Sequence, residues 1–133
     1  MENRITIPDI KYTHRNCIEF LKYFPPYVNI NNIARLLLSS EYKDVYEISN
    51  TMTTQIHSTK GETYDTDQLP VHLKHLKEYF IKGCPDFLCF DYNNNYKFIE
   101  IKRITDELRL SQFLWFAKFN KINAEVMILD YGK

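Results

Sequence analysis

The charged side chains of residues 83–103, GCPDFLCFDYNNNYKFIEIKR, are the ones whose types and spacing could support chemistry. An aspartate follows a proline at the start of one apolar run, and a Glu-x-Lys triplet lies in the next run. Buried strands require neither charge, so Asp86, Glu100 and Lys102 are the candidate functional residues. Two carboxylates can share a divalent cation, and a lysine beside them can position a water molecule or stabilise charge on a phosphate. This set would suffice to hydrolyse a phosphodiester.

The two runs are predicted to form an antiparallel hairpin with a turn at residues 93–95. In that register Asp86 faces Lys102 and Leu88 faces Glu100. Because side chains alternate with a period of two, all three charged groups would then project from one face of the sheet. A two-residue turn would instead place Asp86 and Glu100 on opposite faces. In a further interpretation, Asp86 caps a turn after the proline, and Glu100 and Lys102 only face solvent.

The composition limits the class of protein to a small globular domain. The chain has 133 residues, of which 44% are hydrophobic, enough for one buried core. The formal net charge of zero is a mild argument against a nucleic-acid-binding protein, although separate acidic and basic regions can cancel in the sum. The three cysteines form no CxxC pair, no secretory signal opens the chain, and no apolar run reaches membrane-spanning length. We therefore expect an intracellular protein, cytoplasmic or nuclear and not secreted, that does not bind membranes.

Hydrophobic periodicity and turn residues predict the order of the secondary-structure elements. They are a strand-like lead-in at 1–12, helices at 14–24, 29–42, 68–83 and 105–121, a strand at 44–50, a loop or mobile hairpin at 51–67, hairpin strands at 84–92 and 96–103, and a terminal strand at 124–131. This order is typical of an α/β or α+β domain with a small mixed sheet flanked by helices. We expect one domain over 1–133, with a helical N-terminal part at 1–67 and the catalytic core at 68–133.

From about His72 to Val126 the sequence resembles the PD-(D/E)XK nuclease superfamily and, within it, the VRR-NUC domain. GCPDFLCF corresponds to the family's G-x-PD strand, and FIEIK to its hydrophobic-Glu-hydrophobic-Lys strand. Further residues fall on the family patterns D-x-L-S-x-x-Q-x-x-W and G-A-E-V: Asp106, Leu108, Gln112, Trp115, Ala124, Glu125 and Val126. The chain departs from the family at Arg103-Ile104, where the family has Gly-Pro, at Arg109, where it has Ser, and at Asn123, where it has Gly.

The resemblance implies a restriction-endonuclease-like α/β fold and a DNA endonuclease that depends on Mg²⁺ or Mn²⁺. It implies that Asp86 and Glu100 bind the metal together with the backbone carbonyl of Ile101, and that Lys102 is the catalytic lysine. Gln112 would orient that lysine or touch DNA; the alternative is a solvated helix residue.

The family also has a glutamate on a helix upstream of the hairpin, which would complete the catalytic and metal-binding set. Glu41 ends a predicted helix just before a predicted strand and is the first choice, with Glu19 second. A surface carboxylate is the alternative for either residue.

The expected substrate, by resemblance, is branched or flapped DNA, and a homodimer could act on four-way junctions. The alternative function is a non-catalytic module that keeps the nuclease fold and binds DNA or a protein. The neutral net charge and the uncertain upstream glutamate support that alternative.

Overall fold

The computed structural model of the protein describes residues 7–23, 29–50 and 54–132. The strands are β1 (Lys11–Asn16), β2 (Asp44–Asn50), β3 (Thr54–Ser58), β4 (Thr63–Asp65), β5 (Phe87–Phe90), β6 (Tyr96–Arg103) and β7 (Ala124–Asp130). The helices are α1 (Ile30–Glu41), α2 (Val71–Lys74) and α3 (Leu110–Lys118), with 3-10 helices at Ile18–Tyr23 and Lys77–Tyr79. The predicted mixed α/β class is therefore confirmed.

All seven strands of the described residues belong to one mixed sheet, in the order β1-β7-β6-β5-β2-β3-β4. The strands β5 and β6 form the predicted hairpin, and β2 pairs antiparallel with the outer side of β5. After α3 the chain returns as β7, parallel to β6, and β1 adds a parallel edge strand. A β3–β4 hairpin extends the other edge, which confirms the hairpin alternative for part of 51–67. The sheet is larger than the small one predicted.

Helices cover both faces of the sheet, and β6 contributes side chains to both. Phe98 and Glu100 point to the face that packs against α2 and α3, and Lys102 shares their side by the strand alternation. Ile99 and Ile101 point to the other face, where α1 packs. The charged groups of β6 thus lie on the α3 side of the sheet.

Three of the predicted helices differ from the structure, while α1 agrees with it. The side-chain oxygen of Asn29 accepts a hydrogen bond from Asn31 N (2.8 Å) and caps α1 as expected. Residues 14–16 belong instead to β1, because pairing with β7 satisfies their backbone, and only a 3-10 helix follows. The predicted end of that helix at residue 24, the start of the lead-in at residues 1–6 and the loop residues 51–53 lie outside the described residues.

The predicted helix at 68–83 is reduced to the single turn of α2 and a 3-10 turn. Its apolar face nevertheless reaches the core as the periodicity predicted, through Leu69, Leu73, Leu76 and Phe80. The predicted helix at 105–121 is also shorter. Asp106 lies before α3, where its carboxylate accepts a hydrogen bond from Arg103 N (3.1 Å) and stabilises a turn.

Gly83 joins this segment to the hairpin and lies against the backbone at the start of α3. Its φ is +90°, and a Cβ atom built there would lie 2.0 Å from Ser111 O and 2.6 Å from Ser111 C. Both atoms belong to backbone, so they cannot rotate away. Only glycine fits this position without moving the start of α3.

We expect Gly83→Ala to destabilise the protein by about 2–5 kcal/mol, because it adds a steric clash to the strain of a positive φ. Gly61→Ala is the matched control: Gly61 has a φ of +101° but nothing within 4 Å of its Cβ position, so about 1–2 kcal/mol is expected. Urea unfolding of both variants measures the difference. Equal losses would show that the contact with Ser111 carries no energy.

Candidate active site

The hairpin turn is longer than predicted. The Asp91 carboxylate accepts hydrogen bonds from Asn93 N (2.8 Å) and Asn95 N (3.0 Å), and Asn94 adopts a φ of 62°. These bonds, with that to Asn95 as the largest contribution, lower the pKa of Asp91. The turn therefore spans residues 91–95 and not 93–95.

The longer turn shifts the β5–β6 register by two residues. Phe87 pairs with Ile99, so the residue before β5, Asp86, lies opposite Glu100 and not opposite Lys102. The predicted pairing of Asp86 with Lys102 was therefore wrong. A shift of two residues preserves the face of every side chain, however, so the three charged residues remain on one side of the sheet.

Asp86 is held in place by the backbone of both neighbouring strands. Its carboxylate accepts a hydrogen bond from Ile101 N at 2.8 Å, and its backbone carbonyl accepts one from Ile48 N at 2.7 Å. The first bond draws the carboxylate toward β6, at the residue between Glu100 and Lys102. The Ile101 carbonyl remains a predicted metal ligand.

Glu100 is a buried carboxyl group that forms no ion pair with the part of the chain that the structure describes. Glu100 is 1% exposed, and among the described residues no hydrogen-bond partner reaches its Oε2 atom. Burial, a hydrogen bond with the Asp86 carboxyl group and the negative charge of that group raise the pKa of Glu100 well above its usual value. The positive charges of Lys102 and Arg109 act in the opposite direction. The site thus contains two acids in contact and two cations nearby.

A cavity of about 300 Å³ opens beside Asp86, and α3 forms one of its walls. Gln112 lines this cavity and is 4% exposed, so it is not the solvated helix residue of the alternative interpretation. Its side-chain oxygen accepts a hydrogen bond from Arg109 N (2.9 Å), which fixes the first turn of α3. Contact of Gln112 with Lys102 or with DNA stays a prediction.

The structure does not bring Glu41 to the two acids. Glu41 ends α1, which covers the opposite face of the sheet, and its carboxylate pairs with Arg15 at 2.6 Å. Glu19 is exposed on the 3-10 helix that follows the edge strand β1, and β7 separates that strand from β6. Within residues 7–23, 29–50 and 54–132, no group of three or more His, Cys, Asp or Glu side chains could hold a metal ion.

Asn50 and Ser111 also line the cavity, and the sequence analysis did not identify either of them. Asn50 ends β2, two residues beyond the backbone contact of Ile48 with Asp86. A prediction that β2 pairs with β5 would have placed Asn50 there. Ser111 is brought in by the backbone contact at Gly83, for which the sequence offers only the glycine itself.

The residues present fit one hard divalent cation. Two adjacent carboxylates, one with an unpaired buried oxygen, offer the oxygen ligands that Mg²⁺ and Mn²⁺ prefer. Cys84 also lines the cavity, but burial, followed by the negative charges of Glu100 and Asp86, raises the pKa of its thiol well above the usual value. A protonated thiol is a poor metal ligand, so the site favours oxygen coordination.

Comparison of the chain with models of known protein families, with curated proteins and with solved structures finds no match.

In the described part of the chain, none of the helices combines the length and apolar character needed to cross a membrane.

We expect Glu100→Gln to stabilise the metal-free protein. The raised pKa means that the wild type loses stability relative to the variant as the pH rises above the ordinary carboxyl value of 4.5, by at most about 1.4 kcal/mol per pH unit. Urea unfolding of both proteins between about pH 5 and 8 measures this difference. A constant difference over that range would contradict the assignment of Glu100 as an unpaired buried acid.

Glu125→Gln is the matched control, because Glu125 is also buried but is paired. Its carboxylate contacts Lys97 Nζ at 2.8 Å and accepts a hydrogen bond from Thr13 Oγ1 at 2.5 Å. Burial raises its pKa, but these two partners together lower it below the usual value. The substitution should therefore cost about 1–3 kcal/mol above about pH 5, a loss that diminishes on acidification.

Proposed function

We propose that the protein is a Mg²⁺- or Mn²⁺-dependent phosphodiesterase that cleaves DNA. The observation that carries the proposal is the buried, unpaired oxygen of Glu100 next to the Asp86 carboxylate. Such an arrangement is costly in the free protein, and a bound divalent cation would offset the cost. Lys102 on the same side of the strand adds the cation that phosphodiester hydrolysis requires.

A restriction-endonuclease-like core is part of the proposal. Three antiparallel strands, β2, β5 and β6, are followed by α3 and by a strand parallel to β6. The paired carboxylates lie where the start of β5 meets the later part of β6, which is the placement implied by the resemblance of GCPDF and FIEIK to PD-(D/E)XK nucleases. The topology therefore supports the same family that the motifs suggest.

Each residue has a distinct role in the proposed reaction. Asp86 and Glu100, with the Ile101 carbonyl, would hold the metal, which when bound supplies a Lewis acid and a more acidic water molecule. Lys102 orients the attacking water and offsets negative charge on the phosphate. Arg109 binds a phosphate beside the scissile one. Gln112 positions Arg109, because the Gln112 side-chain oxygen accepts a hydrogen bond from the backbone N–H of Arg109.

Branched or flapped DNA is the substrate class we propose first, and a homodimer remains part of the proposal for four-way junctions. A second candidate function is a DNA- or protein-binding module without catalysis. It is favoured by one observation: among the described residues only two acids converge, and the upstream Glu41 is engaged with Arg15.

We expect the purified protein to nick labelled flap, fork or junction DNA in Mg²⁺ or Mn²⁺ and to be inactive in EDTA. Asp86→Ala and Lys102→Ala should each lower the rate by at least about 100-fold, because each removes an interaction with the reacting groups. Glu41→Ala is the control and should retain activity, since Glu41 lies on the other face of the sheet. DNA binding without cleavage, unchanged by EDTA, would support the binding module instead.

A second experiment tests the metal site without catalysis. Mn²⁺ should raise the Tm of the wild type by mass action but leave that of Glu100→Gln unchanged, because the variant lacks one anionic ligand. Glu125→Gln, the paired acid on the opposite face, should start from a lower Tm and keep the full metal-induced increase. An equal increase in all three proteins would place the metal elsewhere.

A further inference from the structure

An apolar groove runs along the outside of α3, between that helix and residues 81–82. Its volume is about 550 Å³. Leu110 and Leu114 line it and are 73% and 54% exposed, and Ile81 is 38% exposed. Large aliphatic side chains this exposed on adjacent turns of one helix form an exposed hydrophobic patch, which is typical of a binding surface. We call this feature the α3 groove.

The charge around the α3 groove has a single sign. Lys82, Arg109 and Lys118 contribute to its lining, all three are exposed, and none of the described residues that line it is acidic. The chain as a whole has no net charge, so this distribution is local. An apolar floor with a cationic rim selects an anionic ligand that also has apolar surface.

The α3 groove is continuous with the candidate active site. Lys82, Arg109 and Ser111 line both this groove and the cavity of about 300 Å³ beside Asp86. A ligand that follows the groove toward the start of α3 therefore arrives at Asp86, the acid that lines the cavity.

We infer that the α3 groove binds a single-stranded segment of DNA next to the phosphate to be cleaved. An unpaired strand offers base faces to Leu110 and Leu114 and phosphates to the cationic rim, whereas a duplex buries its bases and offers phosphates alone. A second copy of the chain is a poorer occupant. In a two-fold interface the same patch faces itself, which would place the two cationic rims against each other.

This inference rests on the proposed function, because the groove is assigned to DNA only if the adjoining acids form a nuclease site. It deepens that function by explaining a preference for flapped or branched substrates: these contain an unpaired strand, which blunt duplex lacks. Lys82, Arg109 and Lys118 would hold the phosphates, and the leucines of α3 would distinguish unpaired from paired bases.

The test measures binding of a short fluorescent oligothymidylate and of a blunt duplex in EDTA, over a series of salt concentrations. Leu114→Ser should weaken oligothymidylate binding about three- to tenfold at every salt concentration and leave duplex binding unchanged. Lys118→Ala should weaken binding of the oligonucleotide and lower the slope of log K against log salt by about 0.7, the value for one phosphate contact on a single strand.

Leu36→Ser and Lys60→Ala are the matched controls. Leu36 is 46% exposed on α1, which covers the opposite face of the sheet, and Lys60 lies in the turn between β3 and β4. Both should bind the oligonucleotide like the wild type. The substituted side chains are exposed in all four variants, so we expect each variant to fold.

The outcomes separate the groove from the catalytic proposal. Wild-type affinity in Leu114→Ser overturns the inference, and so does a change from dimer to monomer in that variant without an effect on DNA binding. If the wild type binds the oligonucleotide through the groove but never cleaves DNA in Mg²⁺, the groove assignment holds and the proposed nuclease activity fails. If the wild type cleaves DNA but the groove variants bind the oligonucleotide normally, the proposed nuclease activity holds and the groove assignment fails.

Discussion

The burial of Glu100, with no ion pair to any of the described residues, is the constraint on which the proposed site depends. An ionised carboxylate buried without a partner costs several kcal/mol, a cost that the raised pKa of Glu100 reflects, whereas the whole folded state is stable by only about 5–15 kcal/mol. The surrounding strand must therefore be held firmly. Phe98 and Ile99 are fully buried on the two faces of β6, and strands pair along both of its edges. A central strand can keep an acid that an edge strand would expose to water.

The second acid, Asp86, is held by backbone hydrogen bonds to both neighbouring strands. Asp86 accepts a hydrogen bond from Ile101 N, and its own carbonyl pairs with β2, so the relative position of the two carboxylates is set by the sheet. Sites built on strands are positioned more accurately than sites on loops. Glu125 shows the contrasting solution, because Lys97 and Thr13 satisfy its buried carboxylate and leave nothing for a ligand.

The prediction that the three charged side chains share a face depended on an assumed turn length, and it did not identify which residues lie opposite each other. The assignment of Asp86, Glu100 and Lys102 to one side survived because alternation depends only on whether the register shift is even. The shift itself arose from the side chain of Asp91, which bonds the turn backbone and lengthens it. The position of Glu41 depends on which face α1 covers, and the burial of Gln112 depends on packing around α3; neither follows from local pattern.

The contact between Gly83 and Ser111 joins the wall of the cavity to the groove along α3. The contact is between the backbone of Gly83 and that of Ser111, so no flexible side chain can absorb a movement. Asp86 lies only three residues further along the chain. A displacement of the start of α3 toward the hairpin would therefore press on the segment that leads to Asp86. If the protein acts as proposed, substrate selection at the helix and cation affinity at the acids would be coupled, so a change of preference engineered at α3 would be accompanied by a change in metal requirement.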